Sequence, residues 1–127
     1  MNVLMLSDVF FPRINGVSTS IDTFRHDLKS HDIQVKLVAP AYPTNTPEDE
    51  DIIRVPSRYL PLDPEDRIMQ RARIRALLPR LREWGPRIVH VQTPFIAHYT
   101  GLELAQRLGV PCIATYHTFF EEYLYHY

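Results

Sequence analysis

The chain has one cysteine in 127 residues, Cys112, so no internal disulfide can form and a cytoplasmic setting is the natural expectation. Its place inside an apolar run predicts a buried thiol. There is no excess of charge of either sign. Fourteen Lys and Arg face fifteen Asp and Glu, for a net charge of -1 and a pI near 6.6, so no global field draws the chain to nucleic acid. No run is long and apolar enough to span a bilayer, and the N-terminus enters an apolar stretch without the basic region or cleavage site of a targeting peptide. A GxGxxG fingerprint, a Walker loop, a paired-cysteine metal site and an assignable Ser, His and acid triad are all missing. Those absences weigh against dinucleotide dehydrogenases and NTPases.

What is present is an ordinary globular composition, 45% hydrophobic and 23% charged, enough for one core and not comfortably two. Apolar runs at residues 3–6, 33–38, 52–55, 88–91 and 112–116 read as strands. Between them, residues 17–29 carry Val17, Ile21, Phe24 and Leu28 at helical spacing, and residues 95–108 place Ala97, Gly101, Leu104, Ala105 and Leu108 on one face. Ala97 and Gly101 are small enough to let that helix approach the sheet closely, and Gly109 is suited to cap it. Residues 41–51 read as a solvated loop, and residues 56–64, with three prolines, as an ordered loop with little regular structure. Residues 65–84 read as one helix with Ile74, Leu77, Leu78 and Leu81 inward and a kink at Pro79, stopped by Gly85-Pro86. Strands alternating with helices in this way predict an α/β fold, a doubly wound parallel sheet of about five strands.

In such a sheet the ligand sits beyond the carboxyl ends of the strands. Three loops would meet there: residues 8–16, 92–95 and 117–120. They bring Asp8, Asn15, Gly16, Gln92, Thr93, Pro94, His117 and Thr118 around one cleft. Asn15-Gly16 can turn the backbone sharply and present N–H groups at a helix start, where phosphate binds well; it can equally be a plain turn. Asp8 can cap a turn or touch a substrate hydroxyl. His117 can pack at a strand end or act on a ligand. With Glu121 it would share a helical face, but two ligands without a third make a poor metal site. His90, between Val89 and Val91, reads as a satisfied core histidine.

Residues 1–8 (MNVLMLSD), followed by Phe11-Pro12 and Asn15-Gly16-Val17, then Ile88-Val89-His90-Val91, and above all Ala114-Thr115-Tyr116-His117-Thr118, together resemble the N-terminal half of the retaining glycosyltransferases of family 4, which have the two-domain GT-B fold. The resemblance covers essentially the whole chain. It implies that residues 1–127 form a Rossmann-like, acceptor-side domain, truncated, with the C-terminal donor-binding domain absent and the fragment inactive by itself. The intact enzyme would move a hexose from a nucleoside-diphosphate sugar to a hydroxyl of a sugar, lipid or small-molecule acceptor, with retention at the anomeric carbon. By that resemblance Gly16, with Asn15, approaches the donor diphosphate through backbone N–H groups, and His117 is the catalytic-site histidine that meets the transferred sugar. Asp8, Gln92, Thr93 and Thr118 would line the acceptor or sugar cleft. No cofactor and no metal are implied, since there is no DxD element at the carboxyl end of a strand. The sequence departs from the family pattern in having Asn15 where many members have a second glycine, and Gln92 where a second histidine is frequent.

Four arginines of the expected helix over 65–84, Arg67, Arg71, Arg75 and Arg82, would fall on one face within roughly 80° of arc. Such a stripe is either solvated or touches anionic lipid as a peripheral membrane contact. The aromatic tail with Phe119, Phe120, Tyr123, Leu124, Tyr125 and Tyr127 suggests a cut inside a larger protein, and self-association of the fragment. A non-catalytic α/β module binding a phosphorylated small molecule would use the same rim. A flavodoxin-like signalling domain would need an acidic phosphoacceptor at the end of the third strand, where this chain has Arg54-Val55-Pro56.

Overall fold

The computed structural model describes residues 1–13, 16–43, 50–60 and 63–115, with backbone alone for 59–60 and 63–67. Its centre is a five-stranded parallel sheet in the order β3-β2-β1-β6-β7. The strands are β1 (Asn2–Leu6), β2 (Gln34–Pro40), β3 (Ile52–Val55), β6 (Ile88–Val91) and β7 (Cys112–Ala114). Helix α1 (Gly16–Ser30) links β1 to β2, and α4 (Ile96–Leu108) links β6 to β7. The side chains alternate as the pleat requires. Leu4, Leu6, Val38, Val89 and Val91 face α4 and the segment before β6, together with Ile74, Leu81, Ala97 and Leu104. Val3, Met5, Val35, Leu37 and Ala39 face α1 through Val17 and Ile21. Each fully enclosed Leu or Ile in these two layers contributes about 1.5–3 kcal/mol. The doubly wound sheet that the alternation of runs predicts is therefore present.

Helix ends follow local chemistry. Gly85 (φ 74°) and Gly109 (φ 70°) close the helices before β6 and β7 in the left-handed region, where a Cβ is strained. At Gly101 an added Cβ would lie 2.5 Å from Val91 Cγ2. The close approach of α4 to β6 that the small residues predict is thus built on the missing side chain. Cys112 is partly buried against the α4 layer. Phe24, expected inward, is 44% exposed at the edge of α1.

The stretch between β3 and β6 differs from the sequence expectation. Instead of a loop and one helix, residues 57–69 form an antiparallel pair, β4 (Ser57–Leu60) with β5 (Asp63–Met69). Two short helices follow, α2 (Arg71–Arg75) and α3 (Leu78–Trp84). Residues 65–70 contain strong helix formers, yet pairing with β4 takes precedence over that local preference. Pro79 does not kink a helix. It stands in the first turn of α3, where its missing N–H has no helical partner to lose.

Candidate functional site at the carboxyl ends of the strands

The sheet order changes direction between β1 and β6: the chain leaves β1 toward β2 on one side and leaves β6 toward β7 on the other. The crevice at such a switch point is the expected ligand position. Its two walls are the residues after β1 and after β6, and Asp8 joins them. The Asp8 amide donates to Thr93 Oγ1 at 2.7 Å, and the Thr93 hydroxyl donates back to the Asp8 carboxylate. Backbone N–H groups of Ala97 (3.1 Å) and Phe95 (3.3 Å) donate to the same carboxylate. Residue 95 itself provides no side-chain cap for α4, so the negative charge at that helix start comes from the loop after β1. Burial pushes the Asp8 carboxyl up to about 6, even though the bonds from Thr93 and from the amides of residues 95–97 oppose the rise. Of the two roles open to Asp8 in the sequence, the structure shows capping, across the crevice.

Gln92 and Thr93, placed in the cleft by the sequence reading, are 1% and 2% exposed. Thr93 is engaged with Asp8. The Gln92 amide nitrogen lies 3.3 Å from His90 Nδ1 and 3.6 Å from Met5 Sδ, beneath the rim rather than on it. His90, as expected, is a satisfied core histidine, with Nε2 2.7 Å from Thr115 Oγ1. Asn15, His117, Thr118 and the aromatic tail lie outside the described residues.

Gly16 opens α1 at the surface of the same rim. A Cβ added there meets nothing within 4 Å, and the first turn of α1 holds no acidic residue. Among the described residues, packing therefore does not require glycine at 16. Below it, the Ser18 hydroxyl donates to the Arg13 carbonyl at 2.7 Å.

Sequence reasoning missed Arg54. It reaches from β3 to the loop after β1, donating to the carbonyls of Pro40 (3.0 Å) and Phe11, with its guanidinium 5.5 Å from the centre of the Phe10 ring and 5.8 Å from that of Tyr42. Arg54 alternates with the buried Ile53 and Val55 on β3, and its bonds go to backbone carbonyls, which leave no mark in the sequence.

The basic stripe is corrected. Arg67 lies on β5, not on a helix with Arg71, Arg75 and Arg82. Arg71 lies over the Tyr99 ring at 5.4 Å. Arg75 pairs with Glu103 at 2.9 Å, and Arg82 donates to the Arg107 carbonyl at 3.0 Å. The hydrogen bond from Arg75, and the charges of Arg75 and Arg107, hold the Glu103 carboxyl below its usual range. Among the described residues, no group of three His, Cys, Asp or Glu side chains is arranged to hold a metal ion, and no helix is long and apolar enough to cross a membrane.

Residues 14–127 match the sequence model of Glycosyltransferase Family 4. The chain belongs to that family. It is 32% identical over 127 residues to an alpha-monoglucosyldiacylglycerol synthase of Streptococcus pneumoniae, covering 99% of this chain and 29% of that protein. It is 33% identical over 134 residues to a GDP-mannose-dependent alpha-mannosyltransferase of Mycobacterium tuberculosis, covering 93% of this chain and 32% of the relative. The family 4 chain thus spans under a third of the length of these two proteins. Among solved structures, the C-terminal domain of a Pyrococcus furiosus hydrogenase superimposes with a TM-score of 0.50 at 15% identity, over 89% of each chain. That likeness concerns the fold alone.

Proposed function

We propose that the chain is the acceptor-side domain of a retaining hexosyltransferase. In the intact protein a bond from the anomeric carbon to the diphosphate of a nucleoside-diphosphate sugar breaks, and a bond to an acceptor oxygen forms on the same face. The acceptor proton passes to the leaving phosphate. The observation that carries this reading is the family match across residues 14–127, combined with a rim on which one helix start, that of α4, already holds an internal anion. The other, at Gly16, has no atom of the described residues within 4 Å of an added Cβ and no acid in its first turn. Gly16, with Asn15, meets the donor diphosphate through backbone N–H groups, and His117 orients the sugar and stabilises the charge that develops as its bond to phosphate breaks. Backbone and side-chain donors carry this role without a metal ion. The domain acts in the cytoplasm on a sugar, lipid or small-molecule acceptor. The name of the Streptococcus relative, a diacylglycerol glycoside synthase, favours a lipid among these, with the arginines of α2 and α3 near the membrane surface. The chain by itself self-associates; support comes from Ile113 on β7, 50% exposed, and Phe24 on α1.

Glycosyl transfer by the full-length parent against a panel of nucleotide-sugars tests the reading, with His117→Ala and Gly16→Val beside the wild type. Turnover with one donor, reduced in both variants by roughly 10²-fold or more, is the expected result. Turnover that survives both changes would put the reaction elsewhere and leave this rim a binding module for phosphorylated small molecules.

A further inference from the structure

One side chain ties together segments from three neighbouring strands of the sheet. Arg54 stands on β3 between the buried Ile53 and Val55. Its Nη1 donates to the Pro40 carbonyl, at the end of β2, and its Nη2 to the Phe11 carbonyl, in the loop after β1. The same cation lies against the rings of Phe10 and Tyr42. Tyr42 adds a link of its own, because its hydroxyl accepts from the Phe10 amide at 3.5 Å. Phe10 is buried, and Arg25 of α1 lies 5.8 Å from its ring centre.

The hold continues to α1 through bonds among the described residues. The Arg13 amide donates to the Phe10 carbonyl at 3.1 Å, closing a turn over residues 10–13. The Arg13 carbonyl in turn accepts from the hydroxyl of buried Ser18 at 2.7 Å. Ser18 lies in the first turn of α1, two residues after Gly16. Residues 10–13 are therefore fastened at one end to the β2–β3 side of the sheet and at the other to the start of α1. Two carbonyls received by one planar fork fix direction as well as distance. Lysine at 54 would supply a charge for the two rings, but a point charge cannot reproduce two donors held in a fixed relation. An aliphatic side chain would spare the desolvation and rotamer entropy of a half-buried arginine, so packing on this edge strand does not by itself call for one.

The geometry points to Arg54 as a positioning residue for the start of α1. It fixes the turn of residues 10–13, to which Ser18 fastens the first helical turn, and so sets where Gly16 stands on the rim. It acts through the Phe11 and Arg13 carbonyls, not by contact with substrate. This rests on the proposed approach of the donor diphosphate to Gly16.

The test uses the full-length parent and the nucleotide-sugar that the donor panel selects, with Arg54→Met, Arg54→Lys, Ser18→Ala and Gly16→Val. We expect Arg54→Met to raise the donor KM about tenfold while kcat and the acceptor KM stay within about twofold, because a displaced helix start weakens diphosphate binding alone. Arg54→Lys, which keeps the charge and loses the fork, should raise the donor KM about fivefold. Ser18→Ala cuts the other fastening and should raise it about threefold. These two variants carry the test if Arg54→Met does not fold. Wild-type donor KM in either Arg54 variant while Gly16→Val is inactive would overturn the inference and leave the cleft reading intact. An equal rise in donor and acceptor KM would overturn it as well, because it would mark a general loosening of the fold. Full turnover by Gly16→Val would remove Gly16 from the donor site and this inference with it.

Discussion

Asp8 shows how one side chain can be stabilising by position and costly by charge. Its carboxylate caps α4 and ties the two crevice walls, yet burial lifts its pKa from 3.8 to about 6. Between those values the folded chain keeps a proton that the unfolded chain releases. The contribution is therefore fully present below about pH 4 and is lost as the pH rises through 6. The lift corresponds to no more than about 3 kcal/mol. Denaturant melts from pH 4 to 7 should show wild-type stability falling relative to Asp8→Asn, which keeps the acceptor and cannot ionise. Parallel curves would contradict this. At pH 7 Asp8→Ala should cost about 1 kcal/mol relative to Asp8→Asn through the lost cap. The sequence offered Asp8 as a cap, but not its partner, because Thr93 and Ala97 are more than 80 residues away and meet it only through the β1–β6 register. For Arg54 the sequence offered no role at all, since its targets are backbone carbonyls, which carry no residue identity.

The two glycines that matter most belong to different elements and should respond in opposite ways. In α4 an alanine at 101 gains helix propensity of about 1 kcal/mol, but its Cβ meets Val91 at 2.5 Å. Overpacking of that kind costs about 1–3 kcal/mol, so thermal melts of Gly101→Ala should show a net loss. Gly16→Ala meets no atom of the described residues within 4 Å and should leave the melt within about 0.5 kcal/mol of wild type, while lowering transfer by the full-length parent. Unchanged transfer would remove Gly16 from the donor site. The main-sheet strands were legible because each is a compact apolar run closed by a breaker, and α1 and α4 because their buried faces keep helical spacing. The β4–β5 pair was not. Residues 57–69 alternate too little and contain Pro61 and Pro64, and their partner strand is local instead of part of the central sheet. Residues 65–70 look helical in isolation, and only pairing with β4 decides against it.

At the scale of the whole molecule the charge balance near zero leaves any membrane attraction to a local patch. On α2 that patch is already partly neutralised, because Arg75 is matched by Glu103. If it binds anionic lipid, Arg71→Glu with Arg75→Glu should weaken sedimentation of the full-length parent with phosphatidylserine vesicles by about tenfold or more, at roughly 1 kcal/mol per charge near the surface. Wild-type binding that is absent, or unchanged by the reversal, rejects the patch. Trp84 lies at the opposite pole from the crevice. Its carbonyl accepts from Asn2 Nδ2 at 2.7 Å where β1 begins, and Lys36 sits over its ring at 5.4 Å. It is the sole tryptophan of these 127 residues, so the chain contains its own fluorophore, tied to the first strand and remote from the proposed ligand rim. Its emission reports loss of the core during unfolding, and a nucleotide-sugar titrated into the crevice should leave it unquenched.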